Sequence, residues 1–177
     1  MHNFKFSAPE NPENQFGFHV ATCCGSLAQE NAWCSTWREF FTKNRLAPKL
    51  ENVCDGAQLH ELLEKTWKLL ECRNTITPSL VHGDLWSGNW AMFENEPAVF
   101  DPASSFSDPE FEFGIMSLFG GISREFRQKY FELVDFAPGF ENRLLLYELY
   151  HLLNHFQHFG GSYKISALRK IAEIMKI

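Results

Sequence analysis

The sequence predicts an α+β protein that is mostly helical, with a small β-hairpin insertion near its middle. Three observations carry that expectation. Apolar residues recur at three- and four-residue spacing in long stretches on both sides of residues 80–101, the pattern of helices that bury one face. Between those stretches the apolar runs shorten and are separated by turn-forming residues, which is strand patterning. Eighteen Phe, five Trp and four Tyr in 177 residues supply the volume for a substantial core in one compact unit.

Taken in order, "SAPENPENQ" (7–15) is polar with two prolines and reads as a loop. "FGFHVATCCGS" (16–26) is punctuated by Gly and has no helical period, so an extended or irregular connector is expected. "NAWCSTWREFFTKNRL" (31–46) spaces Trp33, Trp37, Phe40 and Phe41 for a helix that Pro48 would follow. "AQLHELLEKTWKLLE" (57–71) repeats the pattern through Leu59, Leu62, Leu63, Trp67 and Leu70, and the two helices should share a core. Residues 80–81, 90–93 and 98–100 are strand candidates, with a turn over 94–97. A helix over 107–122 has Asp108 as cap and Pro109 in its first turn. Another helix is expected over 123–134. The clearest covers 142–159, with Leu145, Leu149, Leu152, Phe156 and Phe159 on its buried face and Gly160-Gly161 at its end. A last helix is expected over 165–177.

Composition excludes some partners. Sixteen basic residues against 22 acidic ones give a net charge of −6, and no Lys/Arg cluster is present. Neither nucleic acid nor an anionic membrane is therefore expected as the main partner. Apolar runs of a few residues are too short to span a bilayer, and "MHNFKFSAPENPENQ" lacks a signal-peptide core, so a cytoplasmic protein is expected. Cys23, Cys24, Cys34, Cys54 and Cys72 show no C-x-x-C spacing and are expected as free thiols.

The polar residues gather in "LVHGDLWSGNWAMFENEPAVFDPAS" (80–104). Phosphoryl transfer asks little covalent chemistry of a protein: it needs an acceptor hydroxyl aimed in line and magnesium on the phosphates. A kinase-type loop meets this with Asp-x-x-x-x-Asn and a second Asp after the next hairpin. Asp84 and Asn89 have that spacing, and Asp101 follows two candidate strands. Gly83 and Gly88 would let the loop turn tightly, and His82 would hold its shape by hydrogen bonding. The plainer reading makes Asp84 and Asn89 turn residues beside a hairpin. The preceding His-Gly and the later Asp-Pro favour the kinase reading.

"HGDLWSGN" followed by "FDPAS" resembles the fructosamine-3-kinase and ketosamine-3-kinase family, whose fold is aminoglycoside-phosphotransferase-like. "FGFHVATCCG", "NAWCSTWREFF", "EFEFGIMSLFGG" and "APGFENRLLLYELYHLLNHFQHFG" resemble its C-terminal lobe, so the likeness runs from about Phe16 onward. The resemblance implies an ATP- and Mg2+-dependent kinase for the sugar 3-hydroxyl of ketosamines, free or on glycated proteins, acting in deglycation. It implies Asp84 as catalytic base, and Asn89 and Asp101 as magnesium ligands. Trp86 would either stack on the sugar or pack the loop onto the body. The sequence has no G-x-G-x-x-G and no strand Lys of the nucleotide lobe, and Met1-His2 resembles the start of the family's second lobe. The expected organisation is a loop remnant over 1–15 and a C-terminal kinase lobe over 16–177. The missing lobe, or a second copy of the chain, is an expected partner, and the isolated chain is expected to be weakly active or inactive.

Two other readings stand beside this one. His151, His155 and His158 lie at i, i+4 and i+7 and could bind zinc, although aromatic-rich helices more commonly pack their histidines. A non-catalytic fragment that binds substrate or partners through the face left by an absent lobe is the other. Glu110 and Glu112 are expected to serve the dipole of their helix.

Overall fold

The computed structural model describes residues 11, 13–51, 53–120, 123–134 and 136–177. Met1-His2, most of the expected 7–15 loop and the end of the expected 107–122 helix lie outside them.

The 16–26 connector is more ordered than its sequence suggests. Phe16 bridges Cys34, Gly17 bridges Phe106, and β1 (Thr22–Cys24) pairs antiparallel with β2 (Leu27–Gln29). Three-residue strands are too short to print a period-2 pattern, so the hairpin went unrecognised in the sequence.

The first helix starts later and runs further than Trp33 and Pro48 imply. Thr36 caps α1 (Trp37–Phe40) by accepting from the Glu39 N–H at 3.2 Å, the Thr-x-x-Glu start signal. Trp33 is left outside and 38 % exposed. A π-helical segment, Phe41–Leu46, then leads into α2 (Ala47–Leu50), whose first turn holds Pro48. The ring of Pro48 offers no N–H to the Asn44 carbonyl, which takes a bond from Arg45 Nη1 at 3.3 Å instead.

Asp55 caps α3 (Gly56–Leu69), which buries Leu62 and leaves Trp67 half out under Arg38. A 3₁₀ turn, Glu71–Arg73, leads to β3 (Ser79–Val81). β4 (Trp90–Phe93) and β5 (Glu96–Val99) form a hairpin turned by Glu94 and Asn95, both at positive φ. β6 (Ser105–Ser107) returns to pair with β3, joining Leu80 to Phe106. The chain thus holds three separate two-stranded sheets among the described residues, where one hairpin insertion was expected. The Ser-Phe-Ser of β6 carries no strand signature and is a strand only because β3 and Gly17 flank it.

The expected 107–122 helix is a 3₁₀ turn, Pro109–Glu112, capped by Asp108, followed by α4 (Phe113–Phe119). Ser123 caps α5 (Arg124–Leu133), and α6 (Phe140–Phe159) and α7 (Ser162–Ile174) complete the chain. α6 is the axis of the fold, packed by α4, α7, α2 and α3. Its buried surface is wider than the expected face: Leu149 and Leu152 are buried as expected, Leu146, Tyr147, Tyr150, His151, Leu153 and Asn154 are inside as well, and Phe159 is 70 % exposed. A helix with neighbours on several sides buries more than one stripe, so its leucine period marks only part of the buried surface. Trp37 lies at the core, ringed by Phe16, Phe40, Phe41, Phe111 and Tyr147, with its Nε1 donating to the Tyr147 hydroxyl at 3.2 Å.

Two fully paired arginines lock the segment after β6. Arg73 donates to both oxygens of Asp108 at 2.7 and 2.9 Å, and Arg143 of α6 donates to both of Glu110 at 2.7 Å each. All four side chains are buried. Among the described residues no helix is long and apolar enough to cross a membrane. The five cysteines are free: Cys24 and Cys34 are buried, Cys54 is half-buried, and Cys23 and Cys72 are exposed.

Candidate active site

The β3–β6 pair brackets residues 82–104, and its register fixes where that loop begins and ends. Ala103 N–H donates to the His82 carbonyl at 2.8 Å, closing the loop's neck one step beyond the strands. Gly83 sits there at φ 79, and a Cβ would lie 2.5 Å from the Ala103 carbonyl oxygen, so only glycine fits.

From beneath, Glu112 holds the same neck. Its carboxylate accepts the N–H of His82 at 2.7 Å and of Gly83 at 3.0 Å. Burial pushes this carboxyl up to about 7, against the pull of those donors. Glu110 is the partner of Arg143. Both acids lie in the first turn after Asp108, and each also holds a specific buried partner; Glu112, at the N-cap position of α4, makes no side-chain cap bond there. Glu112→Ala should strand two buried N–H groups and lower stability by about 2–4 kcal/mol, measured by urea unfolding, with Glu112→Gln costing less because one acceptor remains.

His82 ties the two ends of the loop together. Its Nε2 lies 2.9 Å from the Phe100 carbonyl, an acceptor only, so Nε2 carries the proton. Nδ1 is then free to accept the Asp84 N–H at 3.3 Å. Burial holds this imidazole below the usual histidine range, which matches a neutral ring. One side chain thus grips the backbone at Asp84 and at the residue before Asp101.

Asn89 is 7 % exposed and donates Nδ2 to the Asp84 carbonyl at 2.8 Å and to its Oδ2 at 3.0 Å. Asp84 is half-buried, and burial pushes its carboxyl up to about 6; the Asn89 bond opposes the rise and nearby Asp101 adds to it. A carboxyl poised near neutrality in a cleft suits proton acceptance. Asp101 is exposed and holds φ 52, a left-handed conformation uncommon outside glycine. Asn89 and Asp101, which carry amide and carboxylate oxygens, thus line one cleft with Asp84. That hard-donor set fits magnesium.

Trp86 lies half-buried with its ring 6.0 Å from Phe119 and over Gly88, and it also lines the cleft. The cleft encloses about 780 Å³. Its far wall comes from the β1–β2 turn and the end of α6, with Ser26, Asn154, His155 and His158 facing the loop. His158 joins the two, with Nε2 3.0 Å from the Cys24 carbonyl and Nδ1 3.3 Å from Ser26 Oγ. His155 Nδ1 is 2.9 Å from the His151 carbonyl. The helical histidine trio therefore does not converge: two rings are engaged with backbone or Ser26, and the third is fully buried. Nothing local in the sequence linked the 22–29 hairpin or Glu112 to the loop, because each meets it from far along the chain.

A family profile described as fructosamine kinase matches residues 1–177. The mouse protein ketosamine-3-kinase is 41 % identical over 170 residues, which is 92 % of this chain and 55 % of that protein. A chloroplastic protein-ribulosamine 3-kinase of Oryza sativa subsp. japonica is 39 % identical over 169 residues, 92 % of this chain and 49 % of that one. Among solved structures, a Haemophilus somnus protein assigned as a fructosamine-3-kinase superposes with a TM-score of 0.81 at 26 % identity. That match covers 96 % of this chain and 58 % of the other. The chain spans about half the length of the curated relatives it matches.

Proposed function

The chain belongs to the fructosamine kinase family, and from that premise we propose that it carries the catalytic loop of an ATP-dependent kinase acting on the 3-hydroxyl of ketosamines. Small fructose- or ribulose-derived amines, or the same adducts on glycated protein lysines, are the substrates this reading assigns, and deglycation is its purpose. The observation that carries it is the clamp on residues 82–101, which presents Asp84, Asn89 and Asp101 to one cleft.

In this reading Asp84 accepts the proton of the sugar hydroxyl, and Asn89 aims it by holding Oδ2. Asn89 Oδ1 and Asp101 are the residues that would hold magnesium, which when bound neutralises phosphate charge. His82, Gly83 and Gly88 shape the loop. Trp86 serves both alternatives at once, packing on Phe119 with one part of its ring and bounding the substrate side of the cleft with another.

The G-x-G-x-x-G and strand Lys of a nucleotide cradle are not in the sequence. We assign residues 16–177 to the C-terminal lobe, with residues 1–15 as its lead-in, and ATP positioning to a second lobe. Positioning and electrostatics dominate phosphoryl transfer, so the 177-residue chain alone should turn over at least 10²-fold more slowly, as an order-of-magnitude expectation, than the chain joined to a relative's nucleotide lobe. Ketosamine-dependent ADP release, with the phosphorylated product identified by mass spectrometry, is the measurement. Equal turnover by both would overturn the two-lobe assignment, and none by either would overturn the kinase reading.

One observation favours a binding role for the isolated chain. Met92, Phe93 and Val99 on the β4–β5 hairpin are 60, 69 and 61 % exposed, an apolar edge suited to another protein surface.

A further inference from the structure

Against the cleft lie two buried side chains that the kinase reading leaves unused. Cys24, at the end of β1, and His151, midway along α6, are buried immediately behind Asp84. One ligand atom from each of Cys24, Asp84 and His151 lies within 4.8 Å of the other two. The imidazole is fixed by stacking on Phe111 at 5.5 Å and by the edge of Tyr150, yet neither of its ring nitrogens has a hydrogen-bond partner. Buried polar groups are nearly always paired, and an unpaired imidazole beside a thiol and a carboxylate is a donor set short of its acceptor.

We propose that Cys24, His151 and Asp84 form a binding site for a borderline-soft divalent cation of the zinc type. Sulfur and imidazole nitrogen select such a cation over magnesium, which keeps to oxygen donors such as Asn89 and Asp101. Burial keeps the free Cys24 thiol protonated, so the cation itself must displace the proton, and one neighbour then supports the sulfur. Lys49 Nζ donates to Asn154 Oδ1 at 2.7 Å, which turns Asn154 Nδ2 toward the Cys24 sulfur at 3.2 Å. Asn89 Nδ2 similarly occupies Asp84 Oδ2 and leaves Oδ1 as the ligand. Zinc–sulfur distances of about 2.3 Å and zinc–nitrogen or –oxygen distances of about 2.0–2.2 Å hold ligand atoms roughly 3.5 Å apart. The three ligand atoms, within 4.8 Å of one another, must draw together by about an ångström to reach that spacing. Water from the cleft takes the fourth position.

Binding forms a metal–sulfur bond and releases the thiol proton to solvent, with no change of oxidation state. The site stands on these three side chains alone. Its consequence, that an occupied site removes the proton acceptor and silences transfer, rests on the reading of Asp84 given above.

Cobalt(II) tests the site without use of turnover. One equivalent added to the purified chain should give a thiolate charge-transfer band and tetrahedral d–d bands. Zinc should abolish both at stoichiometric addition, and excess magnesium should leave them. Cys24→Ser should remove the charge-transfer band, and His151→Phe, which keeps the stack on Phe111, should weaken cobalt binding more than tenfold. Cys23→Ser should leave the spectrum intact. As a check independent of those variants, zinc should protect Cys24 of the native chain from alkylation, read by peptide mass spectrometry. A charge-transfer band that survives Cys24→Ser, an absence of bands at one equivalent, or unprotected Cys24 would each overturn the site while leaving the kinase reading untouched.

Discussion

Asp84→Asn should lower ketosamine phosphorylation by about 10²–10⁴-fold, the range for loss of a positioned general base, without unfolding the protein. The substitution is nearly isosteric. The Asn89 amide can still donate to the new side-chain oxygen as it does to Asp84 Oδ2 at 3.0 Å, and the Asp84 N–H bond to His82 is backbone on the donor side. Stability should hold or rise slightly, because a carboxylate that burial already disfavours is replaced by a neutral amide. The measurement is kcat and thermal midpoint in the two-lobe protein, side by side. Turnover within tenfold of the parent would mean that Asp84 anchors the loop and accepts no proton. A collapse of both activity and midpoint would assign it a structural role instead. Asp84→Glu keeps the charge but moves it by one methylene, and should recover little, since reacting groups misplaced by an ångström lose most of their advantage.

Glu110→Ala should destabilise the fold by about 3–5 kcal/mol, the cost of leaving one member of a buried ion pair alone. Arg143 would keep only the Ala137 and Pro138 carbonyls and Cys72 Sγ as partners for its buried guanidinium. Against a total stability of roughly 5–15 kcal/mol for a domain, that is a large fraction. Exchanging both partners for apolar residues, Glu110→Met with Arg143→Met, should recover most of the loss, because no charge then stays buried unpaired. Urea midpoints of the two variants decide it. A Glu110→Ala loss below about 1 kcal/mol would show that water reaches Arg143, since such values belong to exposed pairs. Glu110 lies two residues before Glu112, so loosening it should also free the neck at His82 and Gly83.

Much of the candidate site was legible because it is local. Asp84, Asn89 and Asp101 lie within eighteen residues of one another, and the glycines and turn that shape them are in the same stretch. The strands β4 and β5 and the helices α3 and α6 were legible for the same reason: period and turn chemistry act over neighbours. The family resemblance extended that reading to an expected sugar substrate, which no local pattern encodes.

What the sequence withheld depends on contacts between distant residues. Glu112 looks like any acid at a helix start until β6 brings it under His82, 30 residues away. Ser105 to Ser107 become a strand only against β3, and Thr22 to Gln29 become the far wall of the cleft only when His158 of α6 holds their turn. The heptad-like leucines of α6 gave its existence and part of its buried face, since Leu149 and Leu152 are inside, but neighbouring helices bury Arg143, His151 and Asn154 as well. The amino-acid sequence by itself determined the helices, the loop and the chemistry of its side chains, all set by steric and hydrogen-bonding preferences of adjacent residues. Tertiary structure alone decided which carboxylates support the loop, what closes the cleft, and that Cys24 and His151 meet Asp84. Those outcomes are fixed when long-range packing excludes water and leaves each buried polar group to the partner that the fold brings to it.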